Sequence, residues 1–389
     1  MPQFALFLKI PTFSGYKLKI ILLKLHNSYL VSVLLVIVAL TASLSATGQQ
    51  SDTVRRQKKL KITPLPALFY TPETRLGFGG LVSGVFNLGD RKTTRNSNAE
   101  VLAAYTLNNQ IILRTRNNLF TKDEKYALSG ELSFYDFPIL YYGVGNDTDK
   151  DLEEELGYKV FIFQERVLRQ VRKSLFIGPQ YRYNYLYDIE YEPENLVDDI
   201  PFIYSGAGTN SGLGFSTIYD TRNNVLNASK GVFLQFSTFF HGEALGGDFN
   251  FNRYTVDLRR YWMLKNGDVI AAQYFGEFNT GNIPFREMAQ LGGENIMRGY
   301  YNGRFRDDQQ MAVQVEYRKQ VIPWLGFTAF GAYGDVSDDI GNFEIGDFKY
   351  AVGAGLRIMV NKADRLNIRI DYGLGDDTSG FYFAIAEAF

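Results

Sequence analysis

The chain has 389 residues with 41 Lys+Arg against 42 Asp+Glu, long enough for one large or two ordinary domains and with too little net positive charge for a nucleic-acid binder. It has no Cys, which removes disulfide scaffolds, thiol catalysis, cysteine-ligated zinc and a lipidated N-terminal cysteine. Two His, 26 Tyr, 31 Phe and 37 Gly, at a mean hydropathy of -0.16, suit an aromatic-rich β protein and not a bundle of membrane helices.

The first element is an apolar run, Tyr29 to Ala42, preceded by Lys17, Lys19 and Lys24 and followed by small residues through Gly48. That order of basic, apolar and small residues is the layout of a secretory signal peptide, so residues 1–48 are expected to be removed, with Gln49 as the mature start or cleavage after Ala46 instead. An uncleaved anchor is the alternative, and the run is short for a span. Residues 49–64, with Arg55, Arg56, Lys58, Lys59 and Lys61, show no apolar periodicity and are expected to be a short polar periplasmic tail.

From Leu65 to Phe389 apolar residues recur with a period of two, in segments of about ten residues separated by turn residues. Met311, Val313, Val315 and Tyr317 alternate with Ala312, Gln314, Glu316 and Arg318; Leu366, Ile368, Ile370 and Tyr372 alternate with Asn367, Arg369 and Asp371. Charged residues on one face and apolar residues on the other, segment after segment, describe a transmembrane β-barrel with a polar interior. The fold expected is all-β, a sixteen-stranded antiparallel transmembrane barrel over residues 65–389. Its first strand is 65–70 and its last 380–389, with no room for a second folded domain. Long connections at 138–155, 189–203, 280–307 and 336–347 alternate with tight ones such as Val171 to Lys173, the asymmetry of outer loops and periplasmic turns.

Tyr181, Tyr183, Tyr185 and Tyr187 share one strand face and suit an aromatic girdle, a carbohydrate or hydrophobic-ligand platform being the sharper alternative. Asp220 and Arg222 stand where a strand meets a periplasmic turn, followed by Gly231, and are expected to cap that turn locally. His241 falls in an expected loop. Phe381, Phe383, Ile385 and Phe389 share one face of the last strand, and a strand ending in an aromatic resembles the signal read by the outer-membrane assembly machinery.

The longest connection carries LGGENIMRGY at Leu291–Tyr300 and leads through Gly303 and Asp307 into Met311 to Arg318. With Tyr219 to Asn223, Gly231, Glu316, Phe330 to Val336 and the last strand, it resembles the BamA/TamA/FhaC superfamily of outer-membrane insertases and two-partner translocators, also called the bacterial surface antigen family. The match spans about 170 residues in the family's order. Leu65 to Thr74 and Phe137 to Asn146 look like small members that lack periplasmic POTRA modules. The resemblance implies insertion or translocation of client outer-membrane or secreted proteins through a lateral seam between the first and last strands.

Within the loop, Arg298 carries the physical argument. Ordering a long loop costs entropy, and a guanidinium clamped bidentately by a wall carboxylate offsets that cost. Arg298, Gly299 and Tyr300 are the clamp candidates. Glu316, on the polar face of the next strand, is the best partner and matches one of two acidic positions that the family pairs with this Arg. The other falls on Ala332, leaving Asp335, on the opposite alternation, and Asp371 as candidate second acids. Gly292, Gly293 and Gly299 suit tight turns at the loop tip.

Enzymatic chemistry finds no residues to carry it: one His in the mature chain, no Gly-x-Ser-x-Gly elbow, no phosphate loop and no metal-spaced cluster. No catalytic residue, cofactor or metal is expected. Location in the bacterial outer membrane is expected, with lipids and lipopolysaccharide, client proteins and the assembly machinery as partners, a homodimer open, and no nucleic acid. A passive pore or a lipid-handling structural barrel is the alternative to an insertase.

Overall fold

The computed structural model describes residues 60–71, 75–107, 109–191, 205–362 and 365–389. The expected signal peptide and tail residues 49–59 lie outside them. Among the described residues there are nineteen strands. They are β1 (Leu60–Thr71), β2 (Arg75–Phe86), β3 (Ser97–Thr106), β4 (Ile111–Phe120), β5 (Tyr126–Asp136), β6 (Ile139–Tyr141), β7 (Glu154–Arg172), β8 (Leu175–Glu190), β9 (Gly208–Asp220) and β10 (Gly231–His241). There follow β11 (Phe251–Met263), β12 (Val269–Gly281), β13 (Ala289–Leu291), β14 (Phe305–Asp307), β15 (Gln309–Ile322), β16 (Leu325–Ser337), β17 (Lys349–Asn361), β18 (Leu366–Gly375) and β19 (Thr378–Ile385).

Every pairing between these strands is antiparallel, and the order is a meander in which each long strand lies beside its neighbours in the chain. Nineteen strands stand where sixteen were expected. The difference is β6, β13 and β14, three residues each, all inside connections: β6 doubles back on β7, and β13 with β14 forms a ribbon between β12 and β15. No pairing joins β1 to β19 among the described residues.

Period-two patterning sorts the two faces. On β15, Val313, Val315 and Tyr317 are exposed while Ala312, Gln314, Glu316 and Arg318 are buried. On β18, Tyr372 and Leu374 are exposed and Asn367, Arg369 and Asp371 are buried. The exposed apolar side is an outer face and the buried polar side an inner one, the inversion of a soluble sandwich. The sheet curls strongly, bringing connections onto strands remote in the chain: Arg95 Nη1 donates to Asp220 at 2.7 Å, and Asn146 Nδ2 to Asp335 at 3.0 Å.

Two ends of the sheet differ from expectation. β1 begins at Leu60, so residues 60–64 are strand paired with Phe86–Val82 and not tail. Leu60 and Ile62 continue the outward apolar alternation, and Pro64 and Pro66 are tolerated because an edge strand need not donate every ladder bond. β19 stops at Ile385 because Ala386 adopts φ +70, which turns the chain off the ladder. Phe381 and Phe383 face outward, but Phe389 is only 5% exposed and packs inside with Ala228, Tyr261 and Ala271. Phe389 therefore does not share their face.

Candidate functional site

The connection between β12 and β15, residues 282–308, lies against the inner face of the sheet, and its Arg298 is buried, 1% exposed. Its Nη1 donates to Asp371 Oδ2 at 2.5 Å and its Nη2 to Glu316 Oε2 at 3.1 Å. The guanidinium carbon stands 3.6 Å over the Phe330 ring, so strands β15, β16 and β18 each supply one contact. Two carboxylates and a ring face suit a planar, delocalised cation better than an ammonium.

The wall is cut to receive the loop backbone. A Cβ on Gly373 would stand 2.4 Å from the Arg298 carbonyl oxygen, and one on Gly375 would stand 2.5 Å from the Tyr300 ring. Gly292 and Gly299, at φ +113 and +129, make the turns that β-branched or bulky residues resist. Tyr300 fastens the other side of the tip: its hydroxyl donates to the Tyr350 carbonyl at 3.0 Å, and its own carbonyl accepts from Tyr382. The Tyr382 hydroxyl oxygen also accepts from the Gly299 N–H at 2.9 Å.

Arg298 is one of four guanidiniums sharing three carboxylates. Arg357 donates to Glu316 at 2.8 Å, to Asp371, and to Glu387 at 2.6 Å. Arg318 reaches Glu316 at 3.4 Å, and Arg369 reaches Asp371 at 3.5 Å and the Glu294 carbonyl at 2.7 Å. In a low-dielectric interior such charges must be paired, and here each carboxylate is bridged by at least two cations. Arg318, Arg357 and Arg369 were legible as inward-parity residues of their strands, although nothing in the sequence set them apart from other lumen-facing cations. Glu387 was not legible at all, because it follows the turn at Ala386.

A second, reversed ion pair holds the root of the same connection. Glu287 is 2% exposed and accepts from Asn184 at 2.5 Å and Arg182 at 3.2 Å, while Arg253 approaches it at 3.0 Å. Burial pushes the Glu287 carboxyl up, but Arg182 and Arg253 outweigh it and hold the group well below the usual carboxylate range. The loop thus gives a cation to wall acids at its tip and an acid to wall cations at its root.

Among the other sequence candidates, Asp335 is remote from the clamp. It is 1% exposed, and its carboxylate accepts from Asn146 and not from Arg298. Asp220 and Arg222 do come together, with Nε and Nη2 of Arg222 donating at 3.0 and 3.1 Å, and the adjoining turn brings Gly231, at φ +109, within a Cβ clash of the Thr221 carbonyl. Arg95 also binds Asp220, which makes Asp220 a tie between two turns and not only a local cap. His241 ends β10 instead of lying in a loop, stacked 4.1 Å from the Phe251 ring. Tyr185 and Tyr187 stack at 4.9 Å, and Tyr181 and Tyr183 pack against Phe163 and Phe161. Among the described residues no group of His, Asp and Glu is arranged to hold a metal ion.

Comparison with known proteins identifies the family and the fold. A model of the Omp85 superfamily domain matches residues 92–389. BamA from Haemophilus ducreyi, in a structure lacking POTRA domains 1–3, superposes with a TM-score of 0.55 at 12% identity, over 85% of this chain and 71% of that one. CdiB from Acinetobacter baumannii gives 0.56 at 12% identity, over 84% and 60%. CdiB from Escherichia coli gives 0.55 at 10%, over 86% and 63%. The chain thus spans less than two thirds of either CdiB, and the likeness is one of fold. No curated protein matches the sequence. No POTRA module is evident among the described residues.

Proposed function

Since the chain belongs to the Omp85 superfamily of outer-membrane β-barrels, we propose that its sixteen long strands form the wall of one barrel, closed between β1 and β19, that assists insertion or translocation of proteins at the outer membrane. The observation that carries this reading is the clamp: a long connection pinned to the inner wall through Arg298, Glu316 and Asp371, one of whose contact strands, β18, pairs with β19 at the closing edge. A lateral seam there would be weak on the β1 side, where Pro64 and Pro66 supply no N–H to a ladder. An edge that opens presents unpaired backbone groups to an incoming strand.

In this reading the partners are client outer-membrane or secreted proteins, outer-membrane lipids and lipopolysaccharide, and the assembly machinery that inserts the barrel itself. The protein performs no covalent chemistry.

The test is quantitative outer-membrane proteomics of a deletion strain against its parent. Selective loss of a few surface proteins supports the insertase. An unchanged inventory overturns it in favour of a passive pore or lipid-handling barrel. The pore reading has its own observation, an open polar recess on the inner wall lined by Arg116, Asn118, Ser129, Glu131, Gln164 and Arg166, and steady single-channel conductance would identify it.

A further inference from the structure

The four residues after β19 do not hang from the sheet. Ala386 donates to the Asn367 carbonyl at 2.9 Å and Glu387 N to the Leu226 carbonyl at 3.2 Å. The segment therefore passes from β18 to the turn between β9 and β10, across the inside of the curled sheet. Phe389 then packs with Ala228, Tyr261 and Ala271. Arg318 lies 5.5 Å over the Phe389 ring and donates to its carbonyl oxygen at 3.0 Å and to the Ala228 carbonyl at 3.3 Å. The Glu387 carboxylate accepts from Arg357 at 2.6 Å and from Asn367 at 2.8 Å.

Arg318 and Arg357 are also partners of Glu316, the carboxylate that receives Arg298. The loop tip and the segment after β19 consequently meet in one buried charge cluster without touching each other. Arg298 brings a positive charge into it and Glu387 a negative one. With both seated, the cluster holds Arg298, Arg318, Arg357 and Arg369 against Glu316, Asp371 and Glu387. Withdrawing Arg298 frees Glu316 and Asp371 to draw Arg318 and Arg357 away from Glu387, and it also removes a charge that attracts Glu387. Both effects loosen the segment, so the coupling is positive, and by linkage it acts equally in the other direction.

We propose that residues 386–389 are a latch that keeps the end of β19 folded inward, and that the latch is set by seating of the Arg298 loop. This rests on the reading of β19 as the closing edge. Displacing the loop, in this scheme, unlatches the strand at which a client would add. The latch residues are Glu387 and Phe389, and Arg318 and Arg357 are its positioning residues.

Because the chain has no Cys, an Ala388→Cys variant carries a single thiol that reports the latch. In the full-length protein in outer-membrane vesicles, a small maleimide should label Ala388→Cys slowly, and adding Arg298→Ala should raise the rate about tenfold, within the range of ordinary site coupling. Reciprocally, Glu387→Gln should increase cleavage within residues 282–308 by added protease. Heat-modifiability on electrophoresis checks that each variant retains a folded barrel. A second variant guards against general loosening: an Ala228→Cys/Ala388→Cys disulfide should restore protease resistance of the loop in the Glu387→Gln background. Labelling unchanged by Arg298→Ala in folded protein, or a disulfide that restores nothing, overturns the coupling. Neither readout involves a client, so the latch can stand where the insertase reading fails, and the reverse.

Discussion

Arg298 and Asp371 face each other at 2.5 Å with both side chains fully buried, although 73 residues separate them in the chain. The pair joins the tip of the longest connection to β18, next to the last strand. Glu316, on β15, closes the other side of the same guanidinium at 3.1 Å.

Removing one member of a buried pair leaves a charge without a partner, at a cost of about 3–5 kcal/mol. Arg298→Ala should therefore release the loop and raise its sensitivity to external protease in intact cells, with a lowered heat-modification temperature. Glu316→Gln should act in the same direction, and Arg298→Ala combined with Glu316→Gln should be no worse than the more severe single change, since both break one unit. Unchanged digestion of Arg298→Ala would sink the clamp.

Glu287 offers a contrast. Glu287→Ala strands Arg182 and Arg253 and should also loosen the connection, but at its root. Arg298 and Glu287 have no partner in common, so the two losses should add to within about 0.5 kcal/mol in a double-mutant cycle on unfolding. Strong non-additivity would mean that the loop leaves as a single body.

The slot in β18 predicts a steric route to the same phenotype. Gly373→Ala places a methyl 2.4 Å from the Arg298 carbonyl, and an overpacked contact costs about 1–3 kcal/mol. Protease sensitivity should rise with all charges intact. Gly331→Ala is the control, because the nearest atom to its Cβ is 3.9 Å away.

Asp308, between β14 and β15 at the loop end of the sheet, carries a pH signature. Burial, then the neighbouring Asp307 and Asp338, raise its pKa to about 6. A carboxyl raised in the folded state binds more protons there than when unfolded, so stability increases as pH falls through about 6 and levels off near the unfolded value of about 4. Hydrogen-exchange protection around residues 305–309, corrected for the intrinsic pH dependence of exchange, should rise between pH 7 and pH 5. Asp308→Asn should flatten that dependence, and a dependence that survives the substitution assigns it elsewhere, with Asp307 first in line.

Much of the fold was legible because a strand's two faces are a local property. Alternation at Met311–Arg318 and Leu366–Tyr372 announced which side chains point inward, and turn residues marked where strands stop. The departures come where local pattern and pairing disagree. β1 runs back to Leu60 because the length of β2 offers it partners through Phe86. Phe389 leaves the outer face because one residue, Ala386, takes a positive φ that no periodicity announces.

The sequence by itself determined the all-β pattern and a polar inner face, since each follows from residue type and spacing along one strand, and its resemblance to a known family singled out Arg298 with Glu316 as a candidate pair. Only the tertiary structure decided that Asp371 and not Asp335 is the second acid, that Gly373 opens the slot for the loop, and that Glu387 belongs to the same charge cluster. Those choices depend on how far the sheet curls and on which strands face each other across it. Curl is the sum of many small twists between neighbouring strands, and no single residue encodes it.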